Sequence, residues 1–323
     1  MKLSKIYEPV REDLVKVNTL VDSVSKVDPP WLSEMLAHSL KGGGKRIRPV
    51  LTLLAGKFHN YNLNSLLPMA TAIELMHTAT LVHDDAIDNS MVRRGRPTVY
   101  KVWGLNKAVL LGDYLFAKAG EFNAETQNIL VVKLFTQTLM TISKGELNQS
   151  INAFNLEQTR EHYFQRIFRK TASLFSLATE SGAILSQAPE RSVEMLREYG
   201  HNLGIAFQIA DDILDFVGTE EEIGKPVGSD LAQGTLTLPA MLLLERYPED
   251  NPVKRLFQDR NKNKQENIKL AIELVRNSPI VEECYKVASD YCARACHNLD
   301  LLPDNASRGA LTEIADYVVK RKR

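Results

Sequence analysis

The sequence predicts an all-α protein, a single large helical bundle. Three observations carry this: apolar residues recur at three and four positions through long stretches, strand-like alternation is scarce, and glycine and proline punctuate the stretches. In chain order the helical stretches run from Ser65 to Ala86, Lys107 to Ala119, Ile129 to Asn148, Glu161 to Ala183 and Val193 to Val217. Pro68 lies near the start of the first, where a proline costs no helical hydrogen bond. Ala188-Pro189 and the region from Gly218 to Gly234 separate the later ones. The polar, charge-rich segment from Pro248 to Asn267 reads as a mobile surface connection.

The composition is that of an ordinary globular chain: 323 residues, 44% of them hydrophobic, with 40 basic and 40 acidic side chains. No tandem repeat or linker marks a boundary, so residues 1–323 are expected to form one domain. Zero net charge removes the general electrostatic footprint of a nucleic-acid binder. Met1 to Val10 has no secretory apolar run, and no stretch approaches the roughly 18 uncharged apolar residues of a membrane span. A cytoplasmic location is expected. Cys284, Cys292 and Cys296 suit a reducing compartment and read as thiols packed on a core helix rather than as zinc ligands. The tail Lys320-Arg321-Lys322-Arg323 reads as a solvated helix end that is able to touch anionic lipid.

Chemistry concentrates in two clusters, Asp84-Asp85-x-x-Asp88 and Asp211-Asp212-x-x-Asp215, each closing an apolar helical stretch. Residues four apart share a helix face about 5.4 Å apart. Carboxylates stacked this way repel unless a cation lies between them. Hard oxygen donors in small number suit Mg²⁺, which keeps part of its shell for water and substrate phosphate. Counter-charges for phosphate stand in Gly42-Gly43-Gly44-Lys45-Arg46-Ile47-Arg48-Pro49 and in Arg93-Arg94-Gly95-Arg96-Pro97. The glycine run does not match a Walker loop.

In this order, and with Lys170-Thr171 and Gln208 between and beside them, these motifs closely resemble the trans-isoprenyl diphosphate synthase family from about Lys41 to Pro239. The resemblance implies helices around a deep central cavity, a homodimer, and Mg²⁺, three ions per active site. It implies head-to-tail transfer of a prenyl group: an allylic diphosphate (farnesyl or geranyl) ionises and isopentenyl diphosphate attacks the cation. By the same likeness Asp84, Asp88 and Asp211 are the principal metal ligands, with Asp85, Asp212 and Asp215 as ligands or their support. Lys45, Arg48, His77 and Arg94 are placed around isopentenyl diphosphate. Arg93, Lys170, Thr171, Gln208 and Lys225 are placed around the allylic substrate. Thr235 stands where many relatives carry lysine, which removes one allylic-phosphate cation.

Ala79 and Thr80 lie about one helical turn before Asp84 and are both small. In the family, bulky aromatics there stop elongation, so the likeness points to a long-chain polyprenyl diphosphate synthase of the kind that makes quinone side chains. Phe116, Phe135 and Met140 read as core packing, with a lower pocket floor as their other use. The competing reading is a short-chain farnesyl or geranylgeranyl diphosphate synthase. A terpene cyclase would not need the second aspartate cluster, and a non-catalytic subunit would not keep both.

Overall fold

The computed structural model describes residues 3–41, 44–219, 226–259 and 263–320; within them helix is almost the only regular structure. Two compact units form. The first comprises Met1–Thr138, Leu174–Gly200 and Cys296–Ile314, the second Leu139–Ser173, His201–Ala295 and Ala315–Arg323.

The first unit is organised around the helix Leu63–Ile87. The Asn62 side chain caps it by accepting from the Asn64 backbone N–H at 3.1 Å. The helix therefore starts before Ser65, and Pro68 lies in its second turn, where it leaves a carbonyl without its usual donor. Its reading as a cost-free first-turn proline is corrected; burial on all sides holds the helix together here. The same helix is long and apolar enough to cross a membrane, contrary to the sequence expectation, because the qualifying window is not interrupted by enough charge. With 72% of that window buried, it is a core helix.

Around it pack Arg11–Ser23, Ile47–Gly56 and Leu105–Glu125. Gly182, in the helix Ser173–Leu185, permits a close helix crossing: a Cβ there would lie 2.3 Å from the Thr52 carbonyl oxygen and 3.0 Å from Ala55 Cβ. A small hairpin, absent from the sequence reading, pairs Val92–Arg93 with Arg96–Pro97. Arg94 and Gly95 turn it, with φ of 52° and 73°, the left-handed pair of a type I′ corner. Leu105, Val109, Leu110, Ile129 and Leu130 stand exposed in this unit.

In the second unit Tyr163, Ile209, Ile213, Phe216, Leu236 and Leu243 form the middle of the core. The single stretch expected from Glu161 to Ala183 is interrupted. A helix Arg160–Ile167 runs into a π-helical turn, Phe168–Ala172, before Ser173–Leu185. Nor is Pro248 to Asn267 a mobile connection throughout. Buried Asn251 caps a helix, Pro252–Gln258, whose Val253, Leu256 and Phe257 enter the core. Their three- and four-residue spacing was masked by the charged neighbours.

Cys284 and Cys292 are buried thiols outside any disulfide, as read, and Cys296 is half-buried. Phe135 is buried. Met140, read as core, is 55% exposed.

Candidate active site

The first aspartate cluster occupies the last turn of Leu63–Ile87, where the helix carbonyls already concentrate negative potential. Three carboxylates at that end oppose helix stability and call for cations. Asp85 has one inside the protein: both its oxygens accept from Arg93 Nε, at 2.8 and 2.9 Å. Burial pushes the Asp85 carboxyl up from its ordinary range and Arg93 opposes the shift. Asp84 is half-buried and Asp88, which follows the helix, is exposed.

Beside this cluster the first unit holds a cleft lined by Arg46, Arg93, Arg94, Arg96, Glu74, His77 and Asp85 among others, about 650 Å³ out to its open mouth. Arg48 Nη1 donates to His77 Nε2 at 3.2 Å, and its guanidinium lies 4.6 Å from the centre of the Phe175 ring. Guanidinium only donates, so His77 Nε2 is the unprotonated nitrogen and the ring is neutral. Burial, with Arg48, Arg94, Arg93 and Arg46 around it, holds its pKa well below the ordinary histidine value. Arg94 Nη1 lies where a Cβ on Gly44 would come within 2.8 Å, so the glycine makes room for the guanidinium. The Lys45 carbonyl is fixed by Tyr7 Oη at 2.7 Å; its side chain is exposed and is not among the residues lining the cleft.

The second cluster lies in the second unit, near the end of the helix Glu190–Val217. Asp212 is buried and accepts from Tyr163 Oη and Gln208 Nε2, both at 2.8 Å. Burial, then Asp230, pushes its pKa up to about 7. Gln208 in turn accepts from Thr171 Oγ1 at 2.6 Å. Thr171 and Lys170 lie on the π turn, a feature frequent at functional sites; Lys170 Nζ meets Glu146 at 2.8 Å. Asp215, fully buried, accepts from Ser229 Oγ at 2.9 Å and the Asp230 N–H at 3.1 Å. These contacts pull the loop ending at Thr235 onto the cluster; the Thr235 N–H bonds the Asp230 carbonyl at 2.8 Å. Asp211 is half-buried.

Of the residues read from sequence, the structure gathers Asp85, His77, Arg48, Arg93 and Arg94 in the first unit, and Thr171, Gln208 and Asp212 in the second, where Lys170, next to Thr171 in the chain, pairs with Glu146. Lys225 lies outside the described residues. Ala79 is fully buried, and Thr80, half-buried, donates to the His77 carbonyl at 2.7 Å. Arg46 and Arg96, read from sequence only as counter-charges for phosphate, line the cleft as well; sequence reasoning missed Glu74 and Tyr163. A lone carboxylate inside an apolar helix was a usable signal for Glu74; nothing marked Tyr163.

The donor set fits magnesium. In each cluster one or two carboxylates are more open to solvent while the buried members are held by protein hydrogen bonds. Among the described residues no three His, Cys, Asp or Glu side chains gather into an ion-holding group. An ion with one or two carboxylates and a shell completed by water and phosphate oxygens is the usual magnesium arrangement.

Comparison with known proteins agrees with this chemistry. The polyprenyl synthetase family model matches residues 29–275. The chain is 39% identical over 322 residues to heptaprenyl diphosphate synthase component 2 of Geobacillus stearothermophilus, with 99% of each chain covered. A polyprenyl synthase from Caulobacter crescentus, solved with calcium and isoprenyl diphosphate, matches with a TM-score of 0.95 at 34% identity, over 100% of this chain and 98% of that one. A decaprenyl diphosphate synthase from Rhodobacter capsulatus matches with a TM-score of 0.92 at 37% identity, over the whole of both chains. The all-α fold is thus that of the isoprenoid synthases, and the chain belongs to the polyprenyl synthetase family of prenyltransferases.

Proposed function

We propose that this enzyme condenses isopentenyl diphosphate head-to-tail onto an allylic diphosphate, repeatedly, and releases a long-chain polyprenyl diphosphate. The observation that carries the reading is the arginine-lined cleft of the first unit beside the Asp84-Asp85-x-x-Asp88 helix end, in a chain that repeats the aspartate spacing. The two units serve one catalytic domain in this reading.

Arg94 and Arg48, the latter through neutral His77, hold the diphosphate of isopentenyl diphosphate by charge-assisted hydrogen bonds. Lys170, Thr171 and Gln208 receive the allylic diphosphate, with Arg93 and Lys225 as further cations. Magnesium would be held by Asp84 and Asp88 in the first cluster and Asp211 in the second; when bound it neutralises charge developing on the leaving diphosphate. Asp85, Asp212 and Asp215 set the orientation of these carboxylates. The allylic carbon–oxygen bond breaks with its electron pair going to diphosphate. The isopentenyl double bond then forms the new carbon–carbon bond, and a proton leaves to restore an alkene. Apolar walls keep water from the carbocation.

Long-chain product rests on the buried, small Ala79, and on relatives named for heptaprenyl and decaprenyl products. A role in supplying quinone side chains and a cytoplasmic location complete the proposal. For assembly we favour a homodimer, supported by exposed Leu105, Val109 and Leu110 on one helix. The word component in the name of the Geobacillus relative makes a second subunit the competing arrangement.

The test is incubation of the purified chain with Mg²⁺, isopentenyl diphosphate and farnesyl diphosphate, with product masses read after phosphatase treatment. Polyprenols well beyond twenty carbons support the reading. Products ending at fifteen or twenty carbons keep the reaction and overturn the chain length; no elongation points to a missing subunit.

A further inference from the structure

Glu74 has the wrong sign for its position. It is a buried carboxylate in the middle of an apolar helix, 6% exposed, and it lines a cleft whose other charges include Arg46, Arg93, Arg94 and Arg96. A pocket meant for a diphosphate gains nothing from a fixed anion unless that anion does something to the cations. The contacts show what it does. Arg46 Nη1 donates to a Glu74 oxygen across 28 residues of sequence, both side chains being largely shielded from solvent.

Arg46 itself sits at φ 49°, a left-handed conformation rare for a side chain of its size, as the residue just before the helix Ile47–Gly56. Arg94, at φ 52°, is held the same way at the hairpin corner. Two arginines on strained backbone therefore point into one cleft, and each would relax outward under mutual repulsion. For Arg94 the influences are separable: partial burial of its head group lowers its pKa, Arg93 and Arg46 act in the same direction, and Glu74 acts against them.

We infer that Glu74 is a positioning residue for the non-allylic substrate: its carboxylate holds Arg46 in the cleft that Arg94 also lines before substrate arrives, so that isopentenyl diphosphate meets a preformed cation set. This rests on the cleft being the isopentenyl diphosphate site. Because Lys170, Thr171 and Gln208 receive the allylic diphosphate in that reading, and Arg93 is the one cation of this cleft assigned to it, the effect falls mainly on isopentenyl diphosphate.

Steady-state kinetics of Glu74→Gln and Glu74→Asp, with both substrates varied, test it. Glu74→Gln is expected to raise the KM for isopentenyl diphosphate about tenfold, with kcat and the allylic KM within about threefold of the parent, the pattern of lost ground-state organisation. Glu74→Asp, which keeps the charge, is expected to recover part of the loss. Arg94→Ala distinguishes the substrate site from the role of Glu74. An unchanged isopentenyl diphosphate KM in Arg94→Ala removes the site reading and the inference with it. A raised KM in Arg94→Ala together with an unchanged or lowered KM in Glu74→Gln leaves the site standing and overturns the role of Glu74. Should Glu74→Gln fail to fold by far-UV circular dichroism, Arg46→Gln replaces it: the same selective KM rise supports the inference, and a normal KM overturns it.

Discussion

Asp84 and Asp85 are chain neighbours in different surroundings. One is half open to solvent at the end of its helix; the other is buried under the Arg93 guanidinium. Removing the first is therefore expected to remove a metal ligand, and Asp84→Ala to lower kcat by roughly 10²-fold or more. Asp85→Asn leaves the ligand and releases Arg93, so a smaller kcat loss is expected, with a rise in the KM for the allylic substrate. Parallel assays of the two variants check this; equal losses would give Asp85 the same duty as Asp84. His77 supplies a pH signature. Its proton affinity is depressed by burial and by Arg48, Arg94, Arg93 and Arg46, so the unfolded chain takes up a proton near the ordinary histidine pKa of about 6.5 and the folded chain does not. The stability this residue contributes is present above that pH and lost as pH falls below it. Thermal melts at about pH 7.5 and about pH 5.5 are expected to show a smaller acid-induced drop in His77→Asn than in the parent. An equal drop would place the acid sensitivity in other groups.

At the scale of elements, the helices were legible in the sequence because their apolar spacing is regular, and the aspartate clusters because they end such helices. The interruptions were not. The π turn at Phe168–Ala172 inserts a residue without any breaker, and the periodicity on each side reads straight through it. The hairpin has strands of two residues each, too short for alternation to register. Pro68 was misjudged because the cap, Asn62, lies before the first apolar residue of the pattern. Helix contact also sets two expected outcomes. Gly182→Ala drives a methyl group into the Thr52 carbonyl, and destabilisation by about 1–3 kcal/mol is expected in urea unfolding. Ala79→Tyr is expected to shorten the product, read as polyprenol mass. An unchanged distribution would remove Ala79 from the wall that the growing chain follows. Thr235→Lys is expected to change the allylic KM by no more than a few-fold; loss of all turnover would contradict the missing-cation account of that loop.

At the scale of the molecule, what the sequence left open is the set of pairings that cross long intervals of chain. Arg46 with Glu74, Arg48 with His77 and Tyr163 with Asp212 each join residues at least 28 apart, and no local pattern announces such a partner. The cations of the cleft were readable as a list, but their organisation around a buried acid was not. Self-association is expected to appear as twice the chain mass on gel filtration, with activity in the same fractions. A monomer that elongates only on addition of a second protein would make this chain the catalytic half of a heteromer. Within the hairpin, Arg93 and Arg94 both line the cleft, and Arg93 is also bound to Asp85 of the first aspartate cluster. In the proposed site reading, a substrate that draws Arg93 away from Asp85 is expected to disturb its neighbour Arg94, and the two substrates are then expected to alter each other's affinity by the same factor.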